Sequence, residues 1–266
     1  MIQPKEINKY AGLNRVSDRQ IEKDYILSWV LYGISQHKVF NTVLAFKGGT
    51  VLKKCYFEDY RFSEDLDFTL LDEALDHSTL KSFLDEVFIW VKEEANIVLT
   101  HKDDGIHDKS GSSQFYINYI GPLAGNLGSR DIKIDITRGE KLEFDLIKKP
   151  VFITYSDLPE ESFEVLCYSL SEVLIEKMAA LMGRTEPRDL YDFWYLMEID
   201  RMKIKDHNIE FREKAARNNQ DPDAFGEKVL KKEVILKRDW KTKLENQIHD
   251  IPKFDDVFRE VRRYLK

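Results

Sequence analysis

Residues 65–70 read Asp-Leu-Asp-Phe-Thr-Leu, an alternation that admits one local structure. Side chains of a β-strand point to opposite faces in turn, so Leu66, Phe68 and Leu70 share one side while Asp65, Asp67 and Thr69 share the other. The apolar side must be buried, which leaves two carboxylates together on the opposite face with Cα atoms roughly 6–7 Å apart. Both can then lean onto one or two divalent cations, and hard oxygen donors suit Mg²⁺ or Mn²⁺. Upstream lies Phe46-Lys47-Gly48-Gly49-Thr50-Val51-Leu52, which reads as a short strand over Val43–Phe46, a Gly-Gly turn and a brief helix over Thr50–Tyr56. Glycines let backbone N–H groups approach a phosphate closely, with a helix start behind them. An Asp-x-Asp pair by itself is usually a solvated strand face. The full succession of strand, Gly-Gly-Thr, short helix and Arg61-x-Ser63-x-Asp65-x-Asp67 points instead to a triphosphate-plus-metal site.

The rest of the chain supplies both strands and helices. Ser17 and Gln20 fit a capping box, and Ile21, Tyr25 and Trp29 recur behind them at helical spacing. Leu80, Phe83, Leu84, Val87, Phe88 and Val91 form the stripe of a long amphipathic helix. Further strands are expected over residues 96–100, 114–120, 131–136 and 150–155, with a polar loop over 102–113. The glycines of 121–128 lack a strand–helix setting and read as a loop. From about residue 169 the pattern turns helical, with Ser169 and Glu172 as a second capping box, Gly183 as a stop and Pro187 as a restart. The expected architecture is α+β, with an α/β domain over residues 1–160 and a helical domain over 161–266.

Composition narrows the function classes. The chain has 266 residues, and 42% are hydrophobic, enough for a substantial core. No apolar run approaches the ~20 residues a spanning helix requires, and Met1–Glu6 offers no leader-like stretch. Two cysteines, Cys55 and Cys167, supply neither a disulfide framework nor a zinc set. A cytoplasmic protein without membrane partners is expected. Net charge is −7, which argues against a protein that merely coats nucleic acid. Residues 201–266, however, carry 18 Lys/Arg against 13 Asp/Glu, while residues 1–200 carry 23 against 35. Lys228, Lys231, Lys232, Lys237, Arg238, Lys241 and Lys243 are close enough in sequence to form a patch that grips a polyanion, unless interspersed acids dilute it. Lys177 falls on the apolar side of the stripe Leu170, Val173, Leu174, Met178 and Leu181, so it either snorkels or reaches into a site.

From Glu22-Lys23-Asp24-Tyr25 to about residue 198 the sequence resembles the AbiEii/AbiGii toxin family of nucleotidyltransferases, within the DNA polymerase β-type superfamily. Gly48-Gly49-Thr50 and Asp65-x-Asp67 match the superfamily's shared first motif. The block Arg61-Phe62-Ser63-Glu64-Asp65-Leu66-Asp67-Phe68 points to this toxin-like branch. The resemblance implies the polymerase β-type mixed sheet with flanking helices, followed by a helical domain. It also implies a third carboxylate from a neighbouring strand. Asp131-Ile132-Lys133-Ile134-Asp135-Ile136 supplies it, with Asp135 the better match and Asp131 the alternative. Asp65, Asp67 and Asp135 are then the metal ligands, and Asp135 is also a candidate base. The family's lysine motif falls on Lys177. Arg184-Thr185-Glu186-Pro187-Arg188-Asp189-Leu190-Tyr191-Asp192 matches its final motif, with Phe193 where that pattern has Leu. Lys177 and Asp189 join the catalytic set on that ground, and Lys47, Gly48, Gly49, Thr50, Arg61, Ser63, Lys177 and Arg188 surround the nucleotide. The alternative is that Asp189 and Arg188 are helix-start residues, since acids favour that end of the dipole.

The resemblance thus implies a metal-dependent enzyme that moves an NMP from an NTP to an acceptor hydroxyl. RNA is the expected acceptor, tRNA 3′ ends in particular, and a cognate antitoxin or its product is the expected counterpart in an abortive-infection toxin–antitoxin pair. The alternatives are transfer to a small molecule or protein hydroxyl, or a nucleotide-binding module without catalysis.

Overall fold

A computed structural model describes residues 1–102, 108–109, 111–125 and 127–266. Of the polar loop expected over 102–113, residues 103–107 and 110 lie outside the described residues, as does residue 126 of the glycine-bearing loop. The chain forms two compact units, one of Met1–Glu140 with Leu146–Tyr168, the other of Lys141–Asp145 with Ser169–Lys266. The boundary therefore lies at Tyr168 rather than near 160, because the sheet of the first unit recruits a strand from residues 164–167.

Among the described residues that sheet is eight-stranded and mixed. Its strands are β1 (Leu44–Lys47), β2 (Asp65–Leu70), β3 (Val98–His101), β4 (Asp108–Lys109), β5 (Ser112–Ile120), β6 (Asp131–Thr137), β7 (Ile147–Pro150) and β8 (Glu164–Cys167). The order is β3-β5-β6-β2-β1-β8-β7, with β4 paired to β5. β2 runs antiparallel to β1 and parallel to β6. The expected strand over 150–155 is replaced by β7 and β8. Val151 continues the β7–β8 pairing by donating from N to the Phe163 carbonyl at 2.9 Å, and beyond it Tyr155 is a buried anchor whose hydroxyl donates to Asp24 Oδ2 at 2.8 Å.

Leu66, Phe68, Ile132, Ile134 and Ile136 are all buried on one face. Each contributes roughly 1.5–3 kcal/mol by leaving water. A one-residue slip of β2 or β6 would put this set among the carboxylates, so the register is strongly specified. The helices of this unit are α1 (Pro4–Asn14), α2 (Asp18–Gln36), α3 (Phe40–Val43), α4 (Gly48–Val51) and α5 (His77–Ala95), and α2 packs against both β2 and α5. The sequence pattern missed α1, which starts on Pro4 in its first turn. Ser17 caps α2 as expected, its Oγ accepting from Gln20 N at 3.1 Å. The Gln20 side chain does not complete the box. It donates to the Ser63 carbonyl at 3.3 Å and so ties α2 to the segment leading into β2.

The second unit is helical: α6 (Leu170–Gly183), α7 (Pro187–Trp194), α8 (Asn208–Arg217), α9 (Phe225–Lys231), α10 (Glu233–Leu244) and α11 (Phe254–Val261). Ser169 caps α6, Gly183 is its last residue and Pro187 opens α7. Glu172 is buried, and its carboxylate accepts from Glu143 N and Phe144 N at 2.9 Å each and from Lys214 Nζ at 2.7 Å. Those contacts explain why residues 141–145 join this unit. Among the described residues no helix is long and apolar enough to cross a membrane.

Candidate active site

The polar face of β2 and β6 carries the candidate chemistry. In the parallel pairing Asp67 stands opposite Asp135, and Asp65 opposite Lys133. Neighbouring strands lie roughly 4.8 Å apart, so Asp67 and Asp135 are immediate neighbours on one face. This separates the two candidates for the third carboxylate. Asp131 sits at the start of β6 and pairs with Lys102 at 3.0 Å, whereas Asp135 is brought beside Asp67.

β1 delivers the glycines to the same place. Lys47 is in register with Asp67, and Gly48 follows with φ +79°, a conformation that favours glycine. A Cβ at Gly48 would overlap the Asp67 carboxylate. The glycine therefore serves two needs, turning the chain into α4 and admitting the Asp67 side chain. The helix begins at Gly48 itself, two residues before the expected Thr50, and continues as a wider turn through Tyr56. The Thr50 hydroxyl donates to the Asp65 carbonyl at 2.5 Å and fixes the helix start against β2. Gly48→Ala should impose roughly 1–2 kcal/mol of backbone strain and displace Asp67. The expected result is a protein that folds, by circular dichroism, but has lost nucleotidyl transfer.

Asp135 does not present a bare carboxylate. It accepts from Gln114 Nε2 at 2.9 Å, from Lys133 Nζ at 2.8 Å and from the Ser112 hydroxyl. Burial pushes its pKa up, but the Lys133 and Ser112 hydrogen bonds, the Lys133 charge and the Gln114 hydrogen bond outweigh that and hold it below the ordinary value. Such a group carries charge well and takes a proton poorly, so it suits a ligand or orienting role better than that of base. For Lys133, partial burial works against the charge. The hydrogen bond to Asp135 and the charges of Asp135, Asp67 and Asp65 outweigh it and raise its pKa. Lys133 is thus a cation on this acidic face, where Lys47 also stands in register with Asp67. The alternation of residues 131–136 already puts Lys133 on the face of Asp135, but the sequence reading gave it no role.

Asp65, Asp67 and Asp135 are hard-oxygen donors on a shared face, which is the right chemistry for Mg²⁺. Among the described residues, no three acidic, histidine or cysteine side chains are gathered closely enough to hold a metal as they stand. Asp65 and Asp67 supply carboxylates of the right kind for that role. Asp135 fits it once Lys133 releases its carboxylate.

The remaining expected nucleotide contacts divide by unit. In the first, Lys47 Nζ pairs with Glu140 and donates to Thr137 Oγ1 at 3.2 Å. Arg61 is buried, its guanidinium donating to the Phe62 carbonyl at 3.2 Å and stacking 5.7 Å from the Tyr60 ring centroid. Ser63 and Thr50 are also buried, and Gly49 lies in the first turn of α4.

In the second unit Lys177 is 8% exposed and pairs with Asp189 Oδ1 at 3.0 Å and Asp192 Oδ2 at 2.8 Å. Arg184 Nε meets the other Asp189 oxygen at 2.6 Å, and Arg188 lies 3.5 Å from Glu186. Burial pushes the Asp189 carboxyl up, yet the Lys177 charge and the Arg184 hydrogen bond prevail and hold it below its ordinary 3.8. A depressed folded pKa contributes stability that is complete above the unfolded value and is lost as pH falls through the folded one. Wild-type stability should therefore drop more steeply below about pH 4 than that of Asp189→Asn, as read by urea unfolding across acid pH.

The expected basic patch is largely neutralised. Lys231 pairs with Glu227, Lys237 with Asp255 at 2.7 Å, Arg238 with Asp239 at 2.7 Å and Lys243 with Glu186 at 3.7 Å. Lys232 is structural, since its ammonium donates to the carbonyls of Leu181 at 2.5 Å, Met182 at 3.1 Å and Arg184 at 2.8 Å, capping the end of α6.

The family profile described as "Nucleotidyl transferase AbiEii toxin, Type IV TA system" matches residues 29–260. The chain belongs to the AbiEii toxin family. It is accordingly a nucleotidyltransferase toxin of a type IV toxin–antitoxin system, and the family implies an NTP substrate and a cognate antitoxin. Solved structures share the fold. MenT4, a nucleotidyltransferase toxin from Mycobacterium tuberculosis H37Rv, is similar with a TM-score of 0.67 at 17% identity, covering 100% of this chain and 89% of its own. JHP933 from Helicobacter pylori gives 0.58 at 15% identity over 94% and 91% of the two chains. A nucleotidyltransferase structure from H. pylori gives 0.57 at 15% over 94% and 94%. No curated protein sequence matches the chain.

Proposed function

We propose that this AbiEii toxin transfers an NMP from an NTP to a hydroxyl of an RNA acceptor in the cytoplasm, tRNA 3′ ends foremost. The observation that carries the reading is the register that sets Asp67 beside Asp135, with Asp65 on the same face and Gly48 against Asp67. In the reaction the acceptor hydroxyl gives up its proton to solvent, its oxygen bonds to the α-phosphorus, the bond from that phosphorus to the α–β bridging oxygen breaks, and pyrophosphate leaves with the electron pair. Asp65, Asp67 and Asp135 are the residues that would hold a magnesium or manganese ion, which when bound offsets the charge developing on the phosphates. The side-chain-free backbone of Gly48 and Gly49 leaves room for a phosphate beside the carboxylates. Thr50 and Ser63 flank it, and Lys47 and Arg61 supply positive charge on the same unit. Lys133 balances the carboxylates before substrate arrives. Lys177, Arg188 and Asp189 enter this reading through the family resemblance alone.

The decisive experiment incubates the protein with each α-labelled NTP, Mg²⁺ and total cellular RNA. Label should appear in an RNA band with one preferred NTP and vanish with EDTA. Label confined to protein or to small molecules would overturn the RNA assignment.

A further inference from the structure

The neutralised patch leaves open where the excess positive charge of the second unit is displayed. A cleft of about 550 Å³ lies where the segment after α7 meets the end of the chain. Its lining includes Arg201, Lys203 and Lys205 together with Met202, Ile204 and Tyr264. Arg201, Lys203 and Lys205 are exposed, and among the described residues none of the three makes an ion pair. Glu198, an acid of the cleft, is engaged by Arg263 and by the Tyr264 hydroxyl, and the Arg201 charge also acts on it. Asp200 and Asp206 do not line it.

The cleft is built rather than incidental. Arg201 holds φ +63°, which turns the chain so that residues 201–205 form one wall. Met202 N donates to the Leu196 carbonyl at 3.0 Å and fixes that turn. On the other wall the Leu265 carbonyl lies so close to Gly226 that a Cβ there would collide with it. Tyr264 packs edge-on against Phe193, with ring centroids 6.5 Å apart.

We propose that this cleft binds one nucleotide unit, free or within a single-stranded RNA. Arg201, Lys203 and Lys205 hold its phosphate, and Met202, Ile204 and Tyr264 receive its base. The volume lies within the range of small-ligand sites and exceeds what a bare phosphate fills. Three cations over an apolar and aromatic floor match a ligand with a charged end and a flat, weakly polar body. The inference deepens the RNA-acceptor reading and is tested apart from it, because binding is read without NTP or turnover.

The test is fluorescence polarisation of the full chain with a labelled oligouridylate of about 12 nucleotides, with unlabelled UMP as competitor. Lys203→Glu/Lys205→Glu should weaken oligonucleotide binding at least ~10-fold and flatten the log–log salt slope by about 0.7 for each phosphate the variant no longer holds. Asp67→Asn should bind as wild type does even where it cannot transfer. Lys253→Glu/Arg259→Glu makes the same charge change on two other exposed cations of this unit and should leave affinity within ~2-fold. Displacement by UMP identifies a free-nucleotide site, and displacement by oligonucleotide alone identifies a strand site; either supports the proposal. Equal weakening in the two double variants, equal competition by an oligoglutamate peptide, or no binding by the wild-type chain overturns it. Unchanged thermal unfolding keeps a folding defect out of the comparison.

Discussion

Asp67→Asn should lower nucleotidyl transfer by about 10³-fold or more while leaving the protein as stable as the wild type, or more so. The substitution preserves shape, so the close approach of Gly48 survives. What disappears is one of three carboxylates crowded onto neighbouring positions of β2 and β6, with Lys133 as their shared cation. Relief of that crowding offsets whatever hydrogen bonding is lost, the usual relation between a charged active site and stability. The metal reading has its own readout in the same pair of proteins. An ion that binds only the folded state adds about 1.4 kcal/mol at ten times its Kd, so Mg²⁺ should raise the wild-type Tm and leave that of Asp67→Asn unmoved. A wild-type Tm indifferent to Mg²⁺, with transfer surviving EDTA, would remove the cation from the site and leave Lys133 as its principal positive charge.

Much of this site was legible because its geometry is local. Alternation fixes which residues of 65–70 face together, and the glycines announce a turn that side chains would obstruct. Partnership across the sheet was not legible. Nothing in the alternation of Asp131-Ile132-Lys133-Ile134-Asp135-Ile136 says which residue will oppose Asp67; the family resemblance favours Asp135, and the parallel register with β2 sets that residue rather than Asp131 beside Asp67. The same limit hid β8, a four-residue strand whose place beside β1 depends on a long-range parallel pairing of Cys167 with Phe46. The Glu22–Tyr25 segment makes the point differently. Asp24 is buried against Lys54 at 2.8 Å and the Tyr155 hydroxyl, and buried Glu22 accepts from Leu123 N at 2.8 Å. Glu22 and Asp24 are internal fasteners, each answered by a partner far away in sequence. Charge counting failed over residues 228–243 for the same reason: composition records the cations, and only the fold shows which acids or carbonyls have already claimed them.

Lys177 brings that lesson to a measurement. Its ammonium lies between Asp189 and Asp192, all three buried, so Lys177→Met removes the counter-charge from two carboxylates that cannot return to water without unfolding. Breaking a buried pair by deleting one partner typically costs about 3–5 kcal/mol, and the Tm should fall on the order of 10 °C or more. A lysine that merely snorkels would tolerate methionine, whose length and apolar character suit the α6 stripe. Loss of activity in this variant alone does not distinguish a nucleotide contact from a destabilised second unit. Adding Asp192→Asn does. The double variant no longer buries the Asp192 charge, while Asp189 keeps Arg184, so much of the missing stability should return. If transfer returns with it, Lys177 is a structural cation and leaves the nucleotide-binding set. If stability returns and transfer stays absent, the ammonium contacts the nucleotide as the family resemblance implies, and its two aspartates hold it ready for that contact.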